Sequence, residues 1–209
     1  MEWKDAAHWI SDWKDALDEW QDEGQDESSS SGSALPLLVG AAAIGGLYWL
    51  FKTRREDVKG LFVEHVLERP AQNMSYLQLE SALEAGQAAL DRRVSRAADT
   101  EVNRELVRHI IGIERWGRAR LQSAVRHRPW VVDGHQDYKP PTDLSLSELQ
   151  TLLAEQRRKT AEFAHSLHQA PPQGDQRILH NGLGPLTIKA WLRYLAGHAE
   201  LESHKLLPV

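Results

Sequence analysis

Residues 184–204 read GPLTIKAWLRYLAGHAELESH, and this stretch decides how the C-terminal part of the chain folds. After a glycine-proline turn, its apolar residues recur at helical spacing. His198 and Glu202 are four residues apart, so on a helix they share one face and can converge on one ion. Trp191 and Leu195 lie on the same face, which is therefore the side that packs into a core. The stretch predicts a helix that directs a histidine and a carboxylate inward.

The sequence upstream of this stretch is also helical in pattern, and we find no convincing alternating strand. Ser75 and Ser145 each precede a Gln or Glu by three residues, which is the capping-box signature of a helix start. Pro70 interrupts the first helical region, because proline breaks the helical hydrogen-bond ladder. The predicted helices cover residues 58–67 with 75–94, then 100–126, 145–168, and 187 onward. The fold class predicted for residues 71–209 is therefore all-α, a four-helix bundle.

Charge is unevenly distributed along the chain, which has 209 residues, no cysteine and a formal net charge of −5. The absence of cysteine excludes disulfides and thiolate zinc sites. Residues 1–33 hold ten acidic residues and two lysines, a net charge of −8, so the remainder carries +3 (−5 minus −8). A net charge of +3 is too small to indicate a nucleic-acid-binding protein.

The N-terminal segment, residues 1–23, is predicted to form an acidic, Trp-rich amphipathic helix. Its apolar stripe recurs at steps of three and four residues: Trp3, Ala6, Ile10, Trp13, Leu17 and Trp20. The stripe suits an unknown protein partner. The favoured alternative is that its Trp face simply rests on the bilayer or on a second copy of the chain. Residues 24–33 follow as an acidic, serine-rich segment that is predicted to be a disordered linker.

Residues 34–51 contain no charge and are predicted to be a single transmembrane helix, because 18 residues span roughly 27 Å at ~1.5 Å per residue. A basic juxtamembrane segment and the start of the first helix follow at 52–70, so the positive-inside rule places the C-terminal domain in the cytoplasm, at the inner membrane. A buried core helix and a cleaved signal peptide are the alternatives; the basic flank and the acidic leader disfavour them. Ala42 and Gly46 form a small-xxx-small pair that is compatible with a homodimer.

The helices at residues 105–116 and 184–198 resemble those of a known superfamily. The run ELVRHIIGIERW at 105–116 is similar to the second-helix signature of the DinB/YfiT-like superfamily, and 184–198 resembles its fourth helix. Asp137-Tyr138 and residues 149–157 fit its third-helix region. The resemblance covers roughly residues 56–207 and does not extend to the anchor or the leader.

The resemblance implies a four-helix bundle that holds a divalent ion, Zn, Ni or Fe, through three histidines. His109 matches the ligand of the second helix and His198 the first ligand of the fourth. The second fourth-helix ligand falls on Glu202, and the glutamine that often follows is Lys205 here. Known members include metal-dependent hydrolases and transferases that use low-molecular-weight thiols, and many members have no known activity.

Several interpretations of this cluster stay open at the level of sequence, and whether the chain is an enzyme is one of them. Two histidines and a carboxylate can ligate a metal, and Glu202 can instead act as a base without one. His204 is an alternative to Glu202, although six residues from His198 is about 240° around a helix, and Glu200 with His204 forms a second i,i+4 pair on the more polar side. The remaining histidines are expected to be solvated, although His180 could approach the mouth of the site from the loop before the last helix; they are His8, His65, His127, His135, His165, His168 and His180. In the rival interpretation the metal site has decayed, His109 bonds Glu202, and the protein is a non-catalytic, membrane-tethered adaptor.

Overall fold

The computed structural model describes residues 55–129, 133–174 and 176–209. The predicted amphipathic helix at 1–23, the linker at 24–33 and the transmembrane helix at 34–51 all lie outside the described residues, as does the start of the basic segment at 52–70. Among the residues that are described, no helix combines the length and apolarity that crossing a membrane requires.

The chain divides into two compact units, residues 1–64 and 65–209. In the first unit the structure describes helix α1 (Arg55–Phe62) and the beginning of a π-helical turn, Val63–Glu68. The second unit then continues through a short helix, α2 (Arg69–Gln72), and a 3-10 turn (His135–Tyr138) connects its second and third long helices. The four long helices are α3 (Tyr76–Ser95), α4 (Glu101–Val125), α5 (Leu146–Gln169) and α6 (Ile188–Ser203).

Side-chain caps fix where the long helices begin. Ser75 and Ser145 form the two predicted capping boxes, with Gln78 and Glu148 as their respective partners. The Thr187 hydroxyl accepts a hydrogen bond from the backbone N–H of Ala190, and Thr100 caps α4 in the same way. These caps satisfy backbone donors that the first helical turn leaves without partners.

The second unit is mostly helical, which confirms the all-α class in its coarse form. Helix α3 packs against α5 and α6, and α4 packs against the same two helices. An apolar cluster between them is fully buried and contains Leu90, Val107, Ile110, Ile111, Leu149 and Leu153. Burying this many large aliphatic side chains is the main force that holds the helices together.

A short antiparallel hairpin precedes α6, so the expectation that the chain has no strand was wrong. Strand β1 (Arg177–His180) pairs with β2 (Gly184–Thr187), in the register Ile178↔Leu186. Burial alternates along β1, with Ile178 and His180 inside. Each strand has only four residues, which is too short for period-two alternation to emerge from the sequence.

The first predicted helix, 58–67, is also corrected, because it is not one regular α-helix. The chain passes from α1 into the π-helical turn and then into α2, where Pro70 occupies the first helical turn and needs no backbone donor. Glu68 at the end of the π-helical turn is buried and accepts hydrogen bonds from the backbone N–H of Thr187 at 2.9 Å and from its hydroxyl at 2.8 Å. The turn therefore places a carboxylate at the positive N-terminal end of α6.

Candidate metal centre

Helices α4 and α6 bring three potential metal ligands together. His109 lies on α4, and His198 and Glu202 lie one turn apart on α6. One ligand atom from each residue lies within 4.8 Å of the others. The imidazole rings of His109 and His198 are 5.2 Å apart between centroids. The three residues singled out in the sequence therefore form one cluster between two helices.

The cluster is largely shielded from water, and this sets the charge of its histidines. His198 is 2% exposed and Glu202 is 7% exposed. Burial, reinforced by the neighbouring His198, lowers the pKa of His109 to about 3. Burial also lowers the pKa of His198 well below its ordinary value. Both imidazoles are therefore neutral at pH 7, which is the form that binds metal ions.

His135 lies over His109 and was not predicted to belong to the site. The two rings meet edge to face with centroids 4.9 Å apart. A methyl group at Gly112 would lie 2.9 Å from the His135 carbonyl oxygen and 3.0 Å from Cγ of Lys139. Only glycine lets the 3-10 turn approach α4 this closely. The sequence signal nearest to His135 is the Asp137-Tyr138 pair two residues further on, which is part of the resemblance.

Asp133 anchors the turn that carries His135. The indole N–H of Trp116 donates to Oδ1 of Asp133 at 3.0 Å, and Arg120 donates to the same oxygen at 3.0 Å. The Tyr138 hydroxyl donates to Oδ2 at 2.5 Å. Burial alone would raise the pKa of Asp133, but the hydrogen bonds from Tyr138, Arg120 and Trp116 lower it. A carboxylate that stays ionised holds the turn through charge-assisted bonds, which are the stronger kind.

An aromatic wall formed by Trp116, His180, Trp191 and Tyr194 closes the inner side of the site. The Tyr194 ring lies 5.4 Å from the His198 ring, and His180 meets Tyr194 edge to face at 4.6 Å. Trp116 and Trp191 continue the wall, 5.3 Å apart. Tight packing of large rings leaves no room for bulk water behind His198.

His180 belongs to this wall, so the expectation that it is solvated was wrong. Its Nδ1 accepts hydrogen bonds from the backbone N–H groups of Gly182 and Leu183, each at 3.1 Å. Burial lowers its pKa to about 3, so the neutral ring carries its proton on Nε2. That nitrogen is buried and has no hydrogen-bond partner among the described residues.

A buried ion pair fixes α6 just before His198. Arg157 on α5 and Glu114 on α4 pair with side chains that are each 1% exposed. Arg157 also donates to the carbonyl oxygens of Leu195 at 3.0 Å and Ala196 at 3.2 Å. The other Glu114 oxygen accepts from the Thr160 hydroxyl at 2.8 Å. Three helices are thereby held in register next to the cluster.

The remaining sequence candidates lie elsewhere. His204 is exposed and does not join the cluster, and Glu200 pairs with Arg93 at 3.5 Å. His165 contacts Glu80, with 2.9 Å between Nδ1 and Oε2. The other histidines of the second unit that were expected to be solvated are exposed: His65, His127 and His168. His8 lies outside the described residues.

Chemically, two neutral imidazoles and one carboxylate form a donor set that suits a divalent transition metal. Lys205 borders this set, with its Nζ 3.1 Å from Oε1 of Glu202. Three protein ligands leave further coordination positions for a small molecule. Comparison of the chain with models of protein families, with curated proteins and with solved structures gives no match.

Proposed function

We propose that this chain is a membrane-anchored protein with a DinB-like four-helix bundle that binds one divalent metal ion through His109, His198 and Glu202. We further propose that the bound ion serves hydrolysis or the transfer of a low-molecular-weight thiol. The single observation that carries the proposal is the approach of three ligand atoms to within 4.8 Å on two neighbouring helices. Zn, Ni and Fe are the ions that this donor set suits.

The dimensions of the cluster support this proposal. Metal bonds of about 2.1 Å in a tetrahedral arrangement put ligand atoms about 3.4 Å apart. The three side chains, whose ligand atoms lie within 4.8 Å of one another, therefore have to close by at most about 1.4 Å, which small side-chain rotations accomplish. The two histidines need to lose no proton, because burial keeps both neutral.

The surroundings of the cluster support a reaction with a small molecule. A bound divalent ion would supply a Lewis acid that lowers the pKa of a water or thiol. His109 is only partly buried, so the cluster is approached from its side of α4. His135 covers part of that approach, and the aromatic wall keeps water from the opposite side. A substrate group would thus meet the ligands in a confined, poorly solvated space.

We also propose that residues 34–51 anchor the chain in the inner membrane, with the bundle in the cytoplasm. The uncharged span, the basic residues after it and the acidic leader before it support this orientation. Protease added to intact cells should leave the bundle intact and should reach it only after the membrane is permeabilised. Cleavage of the bundle from outside would mean that the orientation is reversed.

A second candidate function is the non-catalytic, membrane-tethered adaptor. The contact between Lys205 and Glu202 favours it, because the ammonium already balances the buried carboxylate without an ion. In that case the Trp-striped leader at 1–23 would be the segment that binds a partner. Deletion of residues 1–23 should then abolish a protein crosslink that the full chain forms, and an unchanged crosslink would count against the adaptor.

Metal content separates the two candidates. We expect the full chain, purified in mild detergent without chelators, to carry about one transition-metal ion per chain. His109→Ala should reduce this to near zero, because it removes one of three ligands. His165→Ala is the matched control, since His165 contacts Glu80 and stands apart from the cluster. A metal content near zero in the unmodified chain would refute the catalytic proposal.

A further inference from the structure

Lys205 follows the last turn of α6 and reaches back to a proposed metal ligand. Its Nζ lies 3.1 Å from Oε1 of Glu202, three residues earlier. The Glu202 side chain is 9% exposed, whereas that of Lys205 is 43% exposed. The lysine therefore offers a positive charge to a buried carboxylate while part of its own side chain stays in water.

The backbone around Lys205 is held in place by the C-terminal tail. The amide of Lys205 donates to the carbonyl oxygen of Glu202 at 3.1 Å, which closes the end of the helix. Two residues further on, Asn103 of α4 accepts from the Leu207 amide at 2.9 Å and donates to the Leu207 carbonyl at 2.8 Å. The amide of Val209 donates to the carbonyl of Arg96 at 3.1 Å. The backbone of Lys205 is thus held on both sides of the residue, within reach of Glu202.

An ammonium group and a divalent cation cannot both lie against the same carboxylate at low cost. Like charges a few ångströms apart repel strongly, and the repulsion grows as the site becomes drier. Water is directly accessible to the outer part of Lys205, so its side chain can rotate away without being buried elsewhere. Binding of an ion at Glu202 would therefore have to include the departure of this lysine.

We propose that Lys205 is a resident counter-cation of Glu202 that a divalent ion displaces, and that it thereby sets the metal affinity of the site. This inference rests on the proposed metal-binding function. The Lys205 side chain should therefore have opposite effects on metal affinity and on the stability of the metal-free protein. Removing the charge of Lys205 should strengthen metal binding, and it should weaken the metal-free fold by leaving a buried carboxylate with less compensation.

The test is a zinc titration of the full chain in detergent, in competition with a chromophoric chelator, after all metal has been stripped. We expect Lys205→Gln to bind zinc about fivefold more tightly than the unmodified chain, since displacing a partly exposed ion pair costs on the order of 1 kcal/mol. Lys205→Arg keeps the charge and should stay close to the unmodified chain. Lys189→Gln is the matched control, because Lys189 also lies on α6 but contacts the Gln72 carbonyl at 3.4 Å.

The melting temperature of the metal-free protein provides a second readout. Lys205→Gln should lower it by about 2–4 °C, while the same variant gains zinc affinity. A merely structural role would lower both stability and affinity. Equal or weaker zinc binding by Lys205→Gln, in a chain whose unmodified form binds zinc, would overturn this inference and leave the proposed function standing.

The two proposals fail separately in this experiment. If neither the unmodified chain nor Lys205→Gln binds zinc, the metal-binding function itself is refuted, and the role of Lys205 falls with it. If only Lys205→Gln binds zinc, the inference about Lys205 is supported, and the unmodified chain is a protein that keeps its own site free of metal.

Discussion

Replacing Arg157 by methionine should destabilise the protein more than any exposed substitution would. Arg157 and Glu114 are each 1% exposed, so the change leaves an ionised carboxylate buried without its guanidinium partner. Losing one member of a buried pair costs about 3–5 kcal/mol. The hydrogen bonds from Arg157 to the carbonyl oxygens of Leu195 and Ala196 are lost as well. For a chain of this size, such a loss corresponds to a fall in melting temperature of roughly 6–20 °C.

Thermal unfolding of the full chain in mild detergent, followed by far-UV circular dichroism, measures this loss. The double variant Arg157→Met with Glu114→Gln is the informative comparison. It removes the uncompensated charge and should recover part of the lost stability. Arg158→Met is the matched control, because Arg158 is the next residue but pairs with Glu162 on the exposed surface. The buried pair does not have the predicted effect on stability if Arg157→Met melts within about 2 °C of the unmodified chain, or if the double variant is less stable than the single one.

The buried His180 and the close contact at Gly112 give two further predictions. The pKa of His180 is about 3 in the folded protein, below the 6.5 of an ordinary histidine. Between these two pH values the unfolded chain binds more protons than the folded chain. The free energy of unfolding should therefore fall as the pH drops from 6.5 towards 3. His180→Leu should flatten this dependence by up to about 1.4 kcal/mol per pH unit, measured by chemical unfolding at several pH values; an unchanged slope would contradict the assignment of a buried neutral histidine. Gly112→Ala should cost about 1–3 kcal/mol and increase the reactivity of His109 towards an imidazole-modifying reagent, because the new methyl group displaces the His135 turn. Gly60→Ala is its control, since a methyl group there meets nothing within 4 Å; equal melting temperatures for the two variants would contradict the close packing at Gly112.

Local signals in the sequence were sufficient to place the starts of two long helices, α3 and α5. The capping boxes at Ser75 and Ser145 involve residues three apart, so the sequence contains both partners side by side. The pairing of His198 with Glu202 is equally local, because four residues make about one helical turn. The prediction that His109 joins these two residues depended on the resemblance, because α4 and α6 are far apart in the sequence.

Features that depend on contacts between distant segments were missed. His135 reaches His109 only because Gly112 lets the 3-10 turn pack on α4. Arg157 and Glu114 are 43 residues apart, and nothing in either segment reveals that they pair in the core. His180 was expected to be solvated because its four-residue strand is too short to predict from the sequence. In the folded protein, packing against neighbouring elements buries it beside Tyr194. In each case the burial of a polar residue is decided by the neighbouring elements.

We propose that His109, His198 and Glu202 together hold a divalent ion. Anomalous diffraction at the zinc edge, from crystals of the protein grown with zinc, would locate such an ion. We expect one peak about 2.1 Å from a nitrogen of each histidine and from a Glu202 oxygen, with Lys205 moved away from that carboxylate. Absence of a peak at this position, with Lys205 still in contact with Glu202, would contradict this proposal.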